Sequence, residues 1–332
     1  MRNAILFLLS ALVLFAAGSM WILLYPSVPA DLGGVENLDP IAKHVRIPVG
    51  EADHLDGWFI AGPRPATVIL FAGYARDHRR VWRYAHVLRR AGYSVLAVDF
   101  RSARMLQRKP TTLGFWESFD ARAALDWVRA QPSLRGQRVA LFGESLGAAV
   151  ALTLAAERPD VAAVVADCPF ASADAGIADE MRLVGHLPAP LLAPIARQLG
   201  HWVTGHDPGA LDATAALRAL NGRPVLLIQT RMEDRFARAQ VDRLTTAAGL
   251  AAETWTVEDA KHNEIWVVHR EEYERRLARF MAAHLGGHAP LGDKPGLGKR
   301  GVKGARAGGH AVVEGTRSVG RAIARPFKKK PS

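Results

Sequence analysis

A serine held between glycines is where this sequence could do covalent chemistry. Gly143-Glu144-Ser145-Leu146-Gly147 follows the aliphatic run Arg138–Phe142 and opens the small, apolar stretch Ala148–Leu152. The five residues alone would recur in roughly one such chain in ten at ordinary Gly and Ser frequencies, so the context carries the weight. A strand that turns sharply into a helix needs small flanking residues, and such a turn pushes the serine hydroxyl out of the fold. A serine hydroxyl is a weak nucleophile, so it needs a base in reach and a carboxylate to hold that base. Both follow in chain order. His262 stands in Asp259-Ala260-Lys261-His262-Asn263-Glu264, and Glu233 and Asp234 are adjacent in Met232-Glu233-Asp234-Arg235. Asp234 is the preferred acid, because its shorter side chain holds a partner more rigidly; Glu233 is the alternative. A tetrahedral oxyanion would need two N–H donors. One is Leu146 N–H, directly after the serine. The other is Tyr74 N–H in Phe71-Ala72-Gly73-Tyr74, where Gly73 permits unusual backbone geometry.

Placing these residues together requires a particular layering. Short aliphatic runs at His44–Val49, Gly57–Ala61, Thr67–Ala72, Ser94–Asp99, Arg138–Phe142, Val161–Ala166, Pro224–Gln229 and Glu253–Val257 read as strands. Amphipathic stretches at Arg79–Ala91, Glu117–Ala130, Ser145–Glu157, Ala237–Ala248 and Glu264–His284 read as helices between them. This alternation predicts an α/β fold with a mostly parallel eight-stranded sheet and helices on both faces. The segment 169–220 breaks the pattern, being rich in Ala, Pro, His and Leu without a strand. It is expected to form a small helical cap over the carboxyl edge of the sheet, where ligands bind in open α/β folds.

The chain divides into residues 1–30, a body over 35–286 and a tail over 287–332. The formal charge of +11 is concentrated in the tail, which holds eleven Lys/Arg against Asp293 and Glu314. A basic tail of Gly, Pro, Lys and Arg is expected to be disordered and either to rest on anionic lipid or to be a solvated extension. With the body near neutral, a specific nucleic-acid partner is not expected. The 22 residues Ala4–Tyr25 carry no charge and are long enough for a transmembrane helix. They read as a signal anchor, or as a signal peptide cleaved at the small-residue pattern Val28-Pro29-Ala30. Arg2 precedes them and Asp31, Glu36 and Asp39 follow, so the expected localisation is a single-pass protein of the cell membrane with its body outside the cytoplasm. Cys168 is the only cysteine and is expected to be a buried, inert thiol.

These residues resemble the α/β-hydrolase superfamily, in particular bacterial small-capped serine hydrolases with an N-terminal membrane segment. Besides the elbow, the resemblance rests on Asp99-Phe100-Arg101, Thr111-Thr112-Leu113-Gly114 with Ala123–Trp127, Asp167-Cys168-Pro169-Phe170 and His262-Asn263-Glu264-Ile265-Trp266. It departs from the usual pattern at Ala72-Gly73 and at Gln229-Thr230, where relatives usually carry His-Gly. The resemblance implies hydrolysis of a small acyl substrate, a carboxylic ester with thioester or amide as variants. The reaction would pass through an acyl-enzyme on Ser145, with Asp234 and His262 completing the triad and no metal or organic cofactor. Alternatives on the same scaffold are acyl transfer and a non-catalytic, membrane-tethered binding protein.

Overall fold

The computed structural model describes residues 2–26, 41–103, 109–185 and 189–286. The basic tail and the segment holding Val28-Pro29-Ala30 lie outside the described residues. Eight strands form one sheet: β1 (Lys43–Val49), β2 (Asp53–Ile60), β3 (Ala66–Phe71), β4 (Ser94–Val98), β5 (Arg138–Glu144), β6 (Val161–Asp167), β7 (Val225–Thr230) and β8 (Glu253–Val257). Their order is β1-β2-β4-β3-β5-β6-β7-β8, with β2 antiparallel to both neighbours and every other pairing parallel. In β3, β4 and β7 every residue is buried. Strands covered on both faces are mostly apolar, which is why they stand out as aliphatic runs, and their few polar members, Thr67, Ser94, Gln229 and Thr230, are buried too. β2 begins earlier than the expected Gly57. Its first half pairs only with the edge strand β1, so Asp53–Asp56 can be polar and still lie in the sheet.

Two apolar layers sandwich the sheet. On one face lie α2 (His78–Arg90), α9 (Ile265–Val268) and α10 (Arg270–Leu285); on the other lie α3 (Phe115–Ala130), α4 (Leu146–Glu157), α7 (Ala213–Ala219) and α8 (Arg238–Ala248). α4 is buried nearly all round, so its sequence is Ala and Leu with little periodicity. The single helix expected over Glu264–His284 is two. At His269 the backbone (φ −119°, ψ 43°) leaves the helical region, and the ring meets Asp259 at 2.6 Å. The break lets the Trp266 ring meet Tyr273 edge-on at 5.2 Å, with Ile265 and Leu277 in the same apolar layer.

The excursion between β6 and β7 is helical, as expected over 169–220, but its members divide. α5 (Ala173–Gly185) and α6 (Ala189–Thr204) pack on each other and on the N-terminal helix α1 (Arg2–Leu24), whereas α7 packs on α4 and α8 and belongs to the layer beside the sheet. α1 docks through its later turns: Ala16, Met20 and Leu24 are buried, and Gly200 on α6 leaves room for the Met20 methyl. Leu24 carbonyl accepts Thr111 N–H at 2.8 Å and Leu23 carbonyl accepts the Tyr74 hydroxyl at 2.7 Å. The other flank, with Leu6, Phe7, Leu14 and Trp21, is exposed. Among the described residues no helix is long and apolar enough to cross a membrane.

The α1–α6 contact can be tested directly. Gly200→Leu, which would overfill the Met20 site, is expected to cost about 1–3 kcal/mol and to speed proteolytic cutting around residues 16–26. Gly18→Ala meets nothing within 4 Å and is expected to leave both readouts unchanged.

Candidate active site

The sheet order fixes where a site can form. From β3 the chain passes to β4 on one side, and β5 lies on the other, so the loops leaving β3 and β5 diverge and open a crevice at the carboxyl edge. The two loops meet at backbone distance. A Cβ on Gly73 would lie 3.2 Å from both Ser145 Cβ and Glu144 carbonyl oxygen. Ser145 itself sits at φ 54°, ψ −113°, a conformation that costs a non-glycine residue about 1–3 kcal/mol. Its N–H donates to Asp167 carbonyl at 2.8 Å, and its carbonyl accepts Ala148 and Ala149 N–H at 3.0 and 3.1 Å. A side chain on Gly143 would run into Gly147 carbonyl, and one on Gly147 into the carbonyls of Phe71 and Ala72. Both flanking glycines are therefore demanded by the turn.

His262 Nε2 lies 3.1 Å from Ser145 Oγ, and its Nδ1 lies 2.9 Å from Glu233 Oε2. A carboxylate only accepts, so Nδ1 carries the proton and Nε2 is free to accept the serine hydroxyl. The His262 and Glu233 side chains are each 4% exposed. Burial alone would raise the Glu233 pKa, but His262 and the N–H groups of Arg235 and Phe236 bring it below the usual carboxylate value. Asp234, the expected acid, is turned away: it is half exposed and lies 3.8 Å from Lys261. The loop geometry decides this. Thr230 Oγ accepts Met232 N–H at 2.9 Å, and this tight turn brings the next residue, Glu233, inward and the one after it outward.

Beneath the elbow lies a buried charge network that connects its two sides. Glu144 is fully buried and receives Arg80 Nε at 2.7 Å and Arg83 Nη2 at 2.9 Å. Burial opposes its ionisation, yet the two guanidinium groups hold its pKa below the usual value. Asp167, sharing the Tyr84 hydroxyl with Glu144 and receiving the Tyr273 hydroxyl at 2.7 Å, is instead raised, first by burial and then by the Glu144 charge. Arg80 also donates to Asn263 carbonyl at 2.8 Å, directly after His262. Cys168 is buried and its thiol is pushed up, by burial first and then by Asp167 and Glu233, as expected of an inert thiol.

The two candidate oxyanion donors stand on the loops that meet at Ser145. Leu146 is the first residue of α4, where N–H groups have no intrahelical acceptor and the helix dipole is positive. Tyr74 follows Gly73 in a turn closed by Arg76 N–H on Gly73 carbonyl at 3.2 Å, with Ala75 at φ 55°. Phe236 meets the His262 ring edge-on at 5.1 Å and Phe170 at 5.9 Å.

Comparison with known proteins now fixes the family. Residues 62–256 match the family described as serine aminopeptidase, S33. The chain belongs to this family of hydrolases. It is 30% identical over 259 residues to the uncharacterized protein Rv2307c of Mycobacterium tuberculosis, covering 77% of this chain and 84% of that one. It is 26% identical over 238 residues to the uncharacterized protein YqkD of Bacillus subtilis, covering 71% and 77%. Among solved structures, the Pyrococcus furiosus esterase Pf2001 superposes with a TM-score of 0.65 at 26% identity, covering 80% of this chain and 99% of that one. The architecture is the α/β-hydrolase fold.

The two departures in this hydrolase have structural work. Ala72 is buried in the sheet layer, and Gly73 keeps the close approach to Ser145. Gln229 Nε2 reaches Thr245 Oγ1 at 2.6 Å, and the Thr230 hydroxyl donates to Ala260 carbonyl, bracing the loop that carries His262. The Thr111-Thr112 motif serves Glu117, whose buried carboxylate takes both hydroxyls at 2.7 and 2.8 Å. Sequence reasoning missed Arg80 and Arg83; the three- and four-residue spacing of Arg80, Arg83 and Tyr84, which puts them on one face of α2, was the available signal. Glu144→Gln would leave two guanidinium groups facing a neutral amide, and is expected to cost about 3–5 kcal/mol, read as a lowered Tm.

Proposed function

We propose that this hydrolase cleaves carboxylic esters through an acyl-enzyme on Ser145. The observation that carries the reading is His262, held between Ser145 Oγ and Glu233 in one hydrogen-bonded line. Ser145 Oγ attacks the carbonyl carbon while its proton passes to His262 Nε2. Glu233 stabilises the resulting imidazolium, and the N–H groups of Leu146 and Tyr74 receive the oxyanion. Collapse expels the alcohol with the proton from His262, and water attacks the acyl-enzyme by the same route in reverse.

The family description names aminopeptidase chemistry, whereas Pf2001 is an esterase. Ester and amide cleavage share every step above, so substrate panels separate them. A fluorophosphonate probe is expected to label the wild-type protein and not Ser145→Ala. p-Nitrophenyl acyl esters are expected to turn over much faster than aminoacyl p-nitroanilides; the reverse order would favour the peptidase reading. Glu233→Gln is expected to lower kcat by about 10⁴ through loss of the correct tautomer, whereas Asp234→Asn is expected to change it less than about twofold. Equal losses in the two variants would refute the assignment of the acid.

We also propose that the exposed flank of α1, with Leu6, Phe7, Leu14 and Trp21, rests in lipid and tethers the protein to a membrane. The full chain is expected in the membrane fraction after a high-salt wash. Recovery in the soluble fraction would refute the tether.

A further inference from the structure

Among the described residues, the guanidinium groups around the site are paired, with one exception. Arg79 is bonded to Asp77, Arg80 and Arg83 to Glu144, and Arg235 to Glu180 on α5. Arg76 stands among them without an ion pair among the described residues; its side chain makes one hydrogen bond, from Nη1 to Ala75 carbonyl at 3.0 Å.. It is largely buried, and the charges that bear on it are those of Arg80, Glu144, Arg235 and Asp77. Burial, then Arg80, lowers its pKa from the ordinary guanidinium value, which still leaves it charged at neutral pH.

Its position follows from the oxyanion loop. Arg76 N–H closes on Gly73 carbonyl, and Gly73 abuts Ser145, so the base of the side chain is one turn from the nucleophile. A cation largely withdrawn from water and without an ion pair of its own is electrostatically incomplete. An anion beside it would supply the missing partner, and a bidentate carboxylate or phosphate suits its planar fork.

We propose that Arg76 is an anion-recognition residue, and that the natural ester carries a carboxylate or phosphate close to the scissile carbonyl. The inference rests on the esterase reading above. The same cation would repel a protonated α-amine, which sets the preferred substrate apart from an aminopeptidase's.

Two matched pairs test it and separate the sources of the anion. The acyl-side pair is mono-p-nitrophenyl glutarate against p-nitrophenyl valerate. The alcohol-side pair is a short 1-acylglycerol 3-phosphate against the corresponding 1-acylglycerol, followed by acid release. In at least one pair the anionic member is expected to show a kcat/KM at least tenfold higher in wild type. Arg76→Gln is expected to cut that ratio at least tenfold, and Arg76→Lys to restore part of it. A ratio at or below one in both pairs, or one that Arg76→Gln leaves unchanged, would overturn the proposal. Fluorophosphonate labelling keeps the two readings apart: a labelled wild type without anion preference removes only the role of Arg76, whereas an unlabelled wild type removes the hydrolase mechanism beneath it.

Discussion

Arg80 joins the two halves of the site. One arm reaches the buried Glu144, the residue before Ser145 on β5, and the other reaches the carbonyl of Asn263, the residue after His262. The elbow comes from the middle of the sheet and the histidine loop from beyond β8, near its far edge. Strand hydrogen bonds alone leave the separation of those two loops free to vary. A charged, bidentate bridge between them does not. Because Glu144 is wholly buried, its charge is tolerable only while Arg80 and Arg83 face it, so the network that registers the loops is also one the fold cannot lose cheaply.

A second constraint is backbone proximity. Gly143 and Gly147 let stretches of main chain approach more closely than any side chain allows, Gly73 makes a tight contact beside them, and the strain at Ser145 is held by this packing and by the Asp167 carbonyl. The Arg80 bridge thus ties the serine turn to the histidine loop, while steric closeness ties it to the loop after β3.

Much of this was legible in the chain itself. The central strands announce themselves because burial on both faces disfavours polar residues that lack a partner, and the elbow because its glycines have no substitutes. Where one face of an element is open to choice, legibility falls: the polar first half of β2 and the turn at His269 follow from neighbours distant in sequence. The acid illustrates the limit. Asp234 is the better residue by side-chain length, but the Thr230–Met232 turn determines which of two adjacent carboxylates faces inward, and a one-residue register is invisible without the loop. Arg80 and Arg76 stand in the same basic run; nothing in that run distinguishes the arginine with a buried partner from the one without.

The docking of α1 carries a consequence for maturation. Its last two carbonyls hold the Tyr74 hydroxyl and Thr111 N–H, and its methionine fills the recess at Gly200. A leader meant for removal is ordinarily indifferent to the domain that follows. Here, cleavage at Val28-Pro29-Ala30 would strip an acceptor from Tyr74, the residue after the glycine that abuts Ser145, so the N-terminal helix belongs to the scaffold of the loop after β3 as much as to any address it carries.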